Sequence, residues 1–126
     1  MQVLESSEVR SAQGAALSKA VIRAADKLGV SQAALASILG LSEASVSRMK
    51  KGDYVLQPGA KAFELAVLFV RLFRSLDAIV GGDEAIASAW LAAPNLALGA
   101  KPADKIRSVP GLMDVIAYLD ARKALI

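Results

Sequence analysis

The chain of 126 residues contains no cysteine and no histidine. The absence of cysteine excludes a disulfide scaffold and a cysteine nucleophile, and the absence of histidine excludes Cys/His zinc sites and Ser-His triads. Aromatic residues make up only 5% of the chain. No phosphate-binding glycine loop, metal cluster or nucleophile with its base can be assembled from the other residues. The sequence therefore predicts no cofactor and no catalytic residue, and an enzyme is the least favoured class.

The charge of the chain is modest, with a formal net charge of +3. This value permits binding to nucleic acid without arguing strongly for it. Residues 1–10 are polar and acidic, whereas a secretion signal needs a charged and then an apolar run. We therefore expect a cytoplasmic protein. The length fits one domain or two small ones.

Residues 31–52 form the most informative segment, because they have the pattern of two short helices joined by a glycine turn. Ser31 and Ser42 suit the N-cap positions of the two helices, and Gly40 can end the first in the left-handed conformation. The predicted buried side chains are Leu35, Ala36, Ile38, Leu39, Val46 and Met49. Small proteins commonly use this unit to place a helix in the major groove of DNA. A helical hairpin without a DNA role is the alternative.

The second helix of this unit would turn a polar and partly basic surface outward. Arginine can pair bidentately with guanine, so Arg48 is the best candidate for reading a base. The basic residues cluster at the end of the helix, where they would meet phosphates. The predicted DNA-contacting residues of this helix and its cap are Ser42, Glu43, Ala44, Ser45, Ser47, Arg48, Lys50 and Lys51.

The flanking segments also have helical periodicity. Before the unit, one apolar face is formed by Leu17, Ala20, Val21, Ala24 and Leu28. Residues 52–59 contain two glycines and a proline, which predicts a boundary there.

Residues 60–80 predict a helix that is apolar around most of its circumference. Such a helix must be covered by the other helices of a bundle and by a second copy of the chain. A membrane span is the alternative, but Arg71 and Arg74 oppose it. The residues expected at a homodimer contact are Phe63, Val67, Val70 and Phe73.

The last third of the chain predicts three further helices. In the first, Ile86, Ala89 and Trp90 are expected to face inward, and Pro94 ends it. Pro102 suits the first turn of a short helix, and Pro110 that of the last. The buried stripe of the last helix is predicted to be Leu112, Val115, Ile116 and Leu119. No segment alternates as a strand would, so the predicted fold class is all-α.

Two motifs of the chain carry a family resemblance. Residues 31–52 resemble the helix-turn-helix of the Xre and phage-repressor family, in which Ser/Thr-Gln opens the first helix and Gly-hydrophobic-Ser forms the turn. Residues 90–102 read Trp-Leu-x-x-Pro-Asn-x-Ala-Leu-Gly-x-x-Pro and are similar to the C-terminal toxin-binding domain of Xre/MbcA/ParS antitoxins. The resemblance covers about residues 15–126. On spacing alone, packing and turn geometry would account for the second motif.

The resemblance implies an antitoxin that binds a RES-domain toxin, which consumes NAD⁺, and whose complex represses its own promoter. It implies that Gln32 contacts a DNA phosphate, and that residues 114–126 lie closest to the toxin pocket unless they form a frayed terminus. We expect a flexible segment over 1–14, the helix-turn-helix domain over 15–57, and a dimerisation and toxin-binding domain over 58–126. The residues expected to contact toxin are Asp114, Tyr118, Arg122, Lys123 and Ile126. A stand-alone transcriptional regulator is the alternative function.

Overall fold

The computed structural model describes residues 2–125, with side chains from Ser7 onward, and it is all-α over this range. Seven helices and no strand are found among these residues. The helices are α1 Gln2–Leu28, α2 Gln32–Leu39, α3 Glu43–Lys51, α4 Lys61–Ile79, α5 Glu84–Ala92, α6 Pro102–Lys105 and α7 Val109–Lys123. The prediction of an N-terminal helix-turn-helix bundle followed by a small helical domain is confirmed.

The helix-turn-helix, α2 and α3, is formed by the caps that the sequence predicts. The hydroxyl of Ser31 accepts the amide N–H of Ala34, and that of Ser42 accepts the amide N–H of Ser45, each at 3.1 Å. Gly40 ends α2 with φ +68°, a conformation that only glycine adopts without strain. The buried side chains of the two helices are the six predicted ones, Leu35, Ala36, Ile38, Leu39, Val46 and Met49.

The helix before the motif is longer than the sequence pattern predicts. Residues 1–14 were expected to be flexible, but α1 already begins at Gln2. Its first described side chains, from Ser7 to Gln13, are all exposed, so no apolar stripe marks this part as helical. The helix meets the rest of the protein at Gly14, where an added Cβ would collide with the backbone carbonyl of Leu56. The N-terminal part of α1 therefore projects beyond the bundle.

The segment between α3 and α4 packs against α1 and is not a free linker. Leu56 is buried, and its amide N–H donates to the hydroxyl of Ser18 at 2.9 Å. The same hydroxyl donates to the carbonyl of Gly14 at 2.7 Å. Since Ser18 is itself buried, these bonds satisfy polar groups that would otherwise be costly in the core.

Helix α4 lies at the centre of the protein. It packs against α1, α2, α5 and α7. Phe69, Leu72 and Leu76 are fully buried on this helix, which accounts for its apolar composition without a membrane. Among the helices of residues 2–125, none combines the length and hydropathy that crossing a membrane requires.

The inward face of α5 differs from the prediction. Ala87 and Leu91 are buried, whereas Ile86 is 54% exposed, Ala89 is exposed and Trp90 is half-buried. This helix has only nine residues and is apolar on nearly every side, so the sequence pattern does not define which side faces the core. The prediction for α7 is confirmed, since Leu112, Val115, Ile116 and Leu119 are all buried.

Candidate DNA-binding and toxin-binding surfaces

Helix α3 presents an exposed polar surface beside its buried residues. Val46 and Met49 anchor its inner side, while Glu43, Ala44 and Arg48 are exposed. Ser45 and Ser47 are half-buried, and the basic residues Lys50 and Lys51 lie exposed in the last turn. The predicted DNA-contacting residues of α3 therefore lie together outside the core. A helix held in this way can enter a major groove.

Hydrogen bonds hold several of these side chains in place. The hydroxyl of Ser42 donates to that of Ser45 at 3.0 Å, and Arg48 Nη2 donates to the hydroxyl of Ser45 at 3.2 Å. Arg48 is thereby held along the helix while its side chain stays exposed. Gln32 Nε2 donates to the backbone carbonyl of Glu43 at 3.3 Å, which joins the start of α2 to the start of α3.

The loop between α5 and α6, residues 93–101, is built as a rigid turn. The backbone N–H groups of Asn95 and Gly99 bond across the turn to the carbonyls of Ala100 and Asn95. The side chain of Asn95 accepts the amide N–H of Leu98 at 3.1 Å. These bonds hold Leu96 at the tip, where it is fully exposed. The proline-asparagine and leucine-glycine parts of the motif thus have a structural role.

Lys105 joins this turn to the last helix. Its Nζ donates to the carbonyl of Leu98 and to the carboxylate of Asp114, both at 3.2 Å. The Lys105 side chain is only 21% exposed, whereas the Asp114 side chain is 61% exposed. Asp114 therefore helps to fix the loop, and one of its oxygens is already engaged.

An aromatic cluster connects α5 with α7. The rings of Trp90 and Tyr118 are stacked, with centroids 6.0 Å apart and an angle of 20° between the planes. The guanidinium of Arg122 lies over the ring of Tyr118, 5.9 Å from its centroid. We call Trp90, Tyr118 and Arg122 the aromatic ladder. Tryptophan, tyrosine and arginine are the residues that most often dominate protein interfaces.

The residues predicted to contact toxin fall on two different sides of α7. Asp114, Tyr118 and Arg122 follow one another at intervals of four residues and share one side. Lys123 lies elsewhere, in a groove between α1 and α7. Ile126 is outside the described residues. Asp114, Tyr118 and Arg122 thus form a connected surface with Trp90, which was noted in the sequence motif but not predicted as a contact.

The four residues predicted to contact a second copy are also separated. Val67 is 46% exposed, Val70 is buried, and Phe63 and Phe73 are half-buried. Phe73 packs beneath the ammonium group of Lys27, which is 5.9 Å from its ring centroid. Of the four, Val67 and Val70 line the groove that also contains Lys123.

Several exposed apolar side chains of the C-terminal half were not predicted from the sequence. Ile86, Leu96, Val109 and Met113 are all more than 40% exposed. An ordinary periodic pattern assigns such residues to the core, so only their exposure distinguishes them. Among the residues that the structure describes, no group of acidic side chains comes together as a metal site would require.

The fold and the exposed α3 surface define a helix-turn-helix DNA-binding protein with an appended helical domain. Residues 7–71 match the antitoxin Xre-like helix-turn-helix domain, just over half of the chain. Residues 75–124 match the antitoxin Xre/MbcA/ParS C-terminal toxin-binding domain. The chain therefore belongs to the Xre family of antitoxins and carries both a DNA-binding and a toxin-binding domain. A search of the curated proteins finds no significant match.

The two matched regions meet inside α4. The first ends at Arg71 and the second begins at Ser75, whereas α4 runs without interruption from Lys61 to Ile79. The sequence predicted a boundary in the loop at 52–59, but that loop packs on α1 and α4 packs against both halves. The two functional regions consequently share one central helix.

Proposed function

We propose that the protein neutralises a RES-domain toxin that consumes NAD⁺ and, as a homodimer, represses its own operon in the cytoplasm. It acts by binding, without catalysis. The observation that carries the proposal is that one chain joins a helix-turn-helix to a toxin-binding domain through the shared helix α4. The second domain would bind the toxin and the first would bind the operator. One molecule would then control both the activity of the toxin and the transcription of the operon.

The aromatic ladder is the proposed centre of toxin contact. Its two rings are half-buried and already stacked, so little side-chain entropy would be lost on binding. Arg122 supplies a charge at the exposed end of the ladder, suited to polar groups of a nucleotide-binding pocket. Ile86 precedes Trp90 by one helical turn and could extend the apolar contact.

Toxin neutralisation can be tested by expressing the protein together with the product of the neighbouring gene. The wild-type chain should restore growth and co-purify with the toxin. The double variant Tyr118→Ala and Arg122→Ala should weaken toxin binding by about 100-fold, since it removes two interface anchors. Met113→Ala, an exposed change on another side of α7, is the matched control and should bind normally. Failure of the wild-type chain to bind the toxin would refute the proposal.

Operator binding has its own prediction. Arg48→Ala should weaken binding to the operator by about 1–3 kcal/mol and relax sequence preference, because a base-reading guanidinium is lost. Lys51→Ala should weaken binding to all DNA alike and lower the slope of log K against log salt by about one. Fluorescence anisotropy on operator and random duplexes at several salt concentrations measures both effects. Equal losses on the two duplexes for both variants would contradict the assignment.

A further inference from the structure

A groove runs between α1 and α7, with α4 as its floor. Its volume is about 950 Å³. Ala16, Leu17 and Ala20 form the α1 wall, and Val67 and Val70 form the apolar floor. The groove lies away from the aromatic ladder, since Lys123 and Tyr118 are on different sides of α7.

The opposite edge of the groove is basic. Arg71 and Arg74 of α4 and Lys123 of α7 line the groove there, beside a single carboxylate, that of Asp120. Asp120 is engaged with Arg71 and accepts a hydrogen bond from Ser75 at 3.3 Å. Among residues with described side chains, neither Arg74 nor Lys123 forms an ion pair. The groove therefore suits an apolar segment that carries an acidic side chain.

The N-terminal arm, residues 2–13 of α1, offers one exposed valine, Val9, and one acidic residue, Glu8, among its described side chains. Every described side chain from Ser7 to Gln13 is exposed, and Val9 is 55% exposed. The described side chains of this stretch therefore contribute little to its stability, because most helical stability in proteins comes from packing. The arm is nevertheless held in a defined direction, since Arg10 Nη2 donates to the carbonyl of Pro58 at 2.9 Å.

The arm and the groove share one continuous strip of α1. Val9, Ala16 and Ala20 are spaced by seven and four residues, so they lie on one side of the helix, the side that faces the groove. Glu8 and Arg10 flank Val9 on opposite sides of the helix. Arg10 is engaged with the carbonyl of Pro58, so Glu8 is the charged group of the arm that the basic residues of the groove would attract. At 1.5 Å per residue the arm is about 18 Å long and the α1 wall of the groove, residues 13–20, about 12 Å. The arm is thus long enough to cover the groove of another molecule.

We propose that the groove binds the N-terminal arm of a second copy, and that the exchange is reciprocal about a two-fold axis. Two antiparallel α1 helices then lie over the two α4 floors, with Val9 of each chain against the region of Val67 in the other. Such an isologous contact buries the same surface on both chains. This inference deepens the proposed function, which includes a dimeric repressor, and it replaces the predicted contact through Phe63 and Phe73 with one through the arm.

The oligomeric state gives the first test. Size-exclusion chromatography with light scattering should give twice the chain mass for the wild type. Val67→Glu should raise the dimer dissociation constant by about 100-fold, because a charge would face apolar groups, while circular dichroism stays unchanged. Leu96→Glu is the matched control, since Leu96 is fully exposed in the loop between α5 and α6 and does not line the groove, and it should remain a dimer. A monomeric wild type, or a Val67→Glu variant that stays dimeric, would overturn the inference.

Cysteine pairing gives the second test, which the absence of native cysteine makes unambiguous. A chain with Val9→Cys is mixed with a differently tagged chain with Val67→Cys and oxidised. A disulfide-linked heterodimer is expected, and replacing Val67→Cys by Leu96→Cys should abolish it. Equal cross-linking in the two mixtures would contradict the proposed contact.

Toxin capture by the same variants separates this inference from the proposed function. Val67→Glu should still bind the toxin, because its side chain lies away from the aromatic ladder. If Val67→Glu loses the toxin while the wild type alone is monomeric, the toxin occupies the groove and the inference is wrong. If no chain binds the toxin but the dimer and the cross-link are found, the proposed function fails and the inference stands.

Discussion

Replacing Phe69 by alanine is expected to lower the free energy of unfolding by about 3–5 kcal/mol, the largest effect of any single substitution proposed for this protein. Phe69 is 0% exposed and is the largest of the fully buried side chains. It lies on α4, which packs against α1, α2 and α7. A cavity at this position removes support from both matched regions, and the loss is a large part of the 5–15 kcal/mol typical of a domain.

The substitution also tests whether the two regions fold as one unit. Urea denaturation can be followed by circular dichroism, which reports all helices, and by fluorescence of Trp90, the single tryptophan, in the toxin-binding region. Coincident transitions that shift together in Phe69→Ala are expected for a shared core. Glu64→Ala, an exposed change on the same helix, should stay within about 0.5 kcal/mol. A fluorescence transition unaffected by Phe69→Ala would show that the regions unfold independently.

Replacing Gly111 by alanine is expected to destabilise the protein by about 2–3 kcal/mol. Within a helix the same exchange ordinarily stabilises by up to about 1 kcal/mol, so the expected sign is reversed. The reason is that α6 and α7 approach each other closely at Gly111, so the new Cβ would collide with the backbone carbonyl of Lys105 in α6. A backbone atom cannot rotate away, and α6 is tied to the turn and to Asp114 by the Lys105 side chain.

The effect of Gly111→Ala on binding should be confined to the C-terminal half of the protein. Gly111→Ala should weaken toxin capture, since it displaces α6 from α7, while operator binding through α3 should change little below the unfolding transition. Ala117→Gly on the exposed side of α7 is the control and should cost about 1 kcal/mol through helix propensity alone. Urea denaturation followed by Trp90 fluorescence measures both. A Gly111→Ala chain more stable than the wild type would disprove the packing argument.

The local features of the helix-turn-helix could be predicted because they depend on neighbouring residues. Ser31 and Ser42 cap their helices, Gly40 takes a left-handed conformation, and Val46 and Met49 repeat at helical spacing. Each of these is a property of three to five consecutive residues. The same holds for the buried stripe of α7. The two motifs together also sufficed to predict the family, since both matched domains are found in the expected order.

The faces of the remaining helices could not be predicted in this way. An apolar residue at a helical position indicates packing but not its partner, so Ile86 and Trp90 were assigned inward while Ala87 and Leu91 are the buried ones. The part of α1 before Gly14 has no apolar periodicity to mark it, and its helix was missed. The separation of Lys123 from Tyr118 likewise depends on what packs beside α7.

The sequence by itself therefore determined the all-α class, the DNA-binding unit and the family, because caps, turns and motif residues act over short distances. Tertiary structure alone decided that α4 is shared by both regions, that Trp90 stacks on Tyr118, and that α1 and α7 enclose a groove. These features depend on contacts between residues far apart in the chain, and such contacts are set by how whole helices pack rather than by any local pattern.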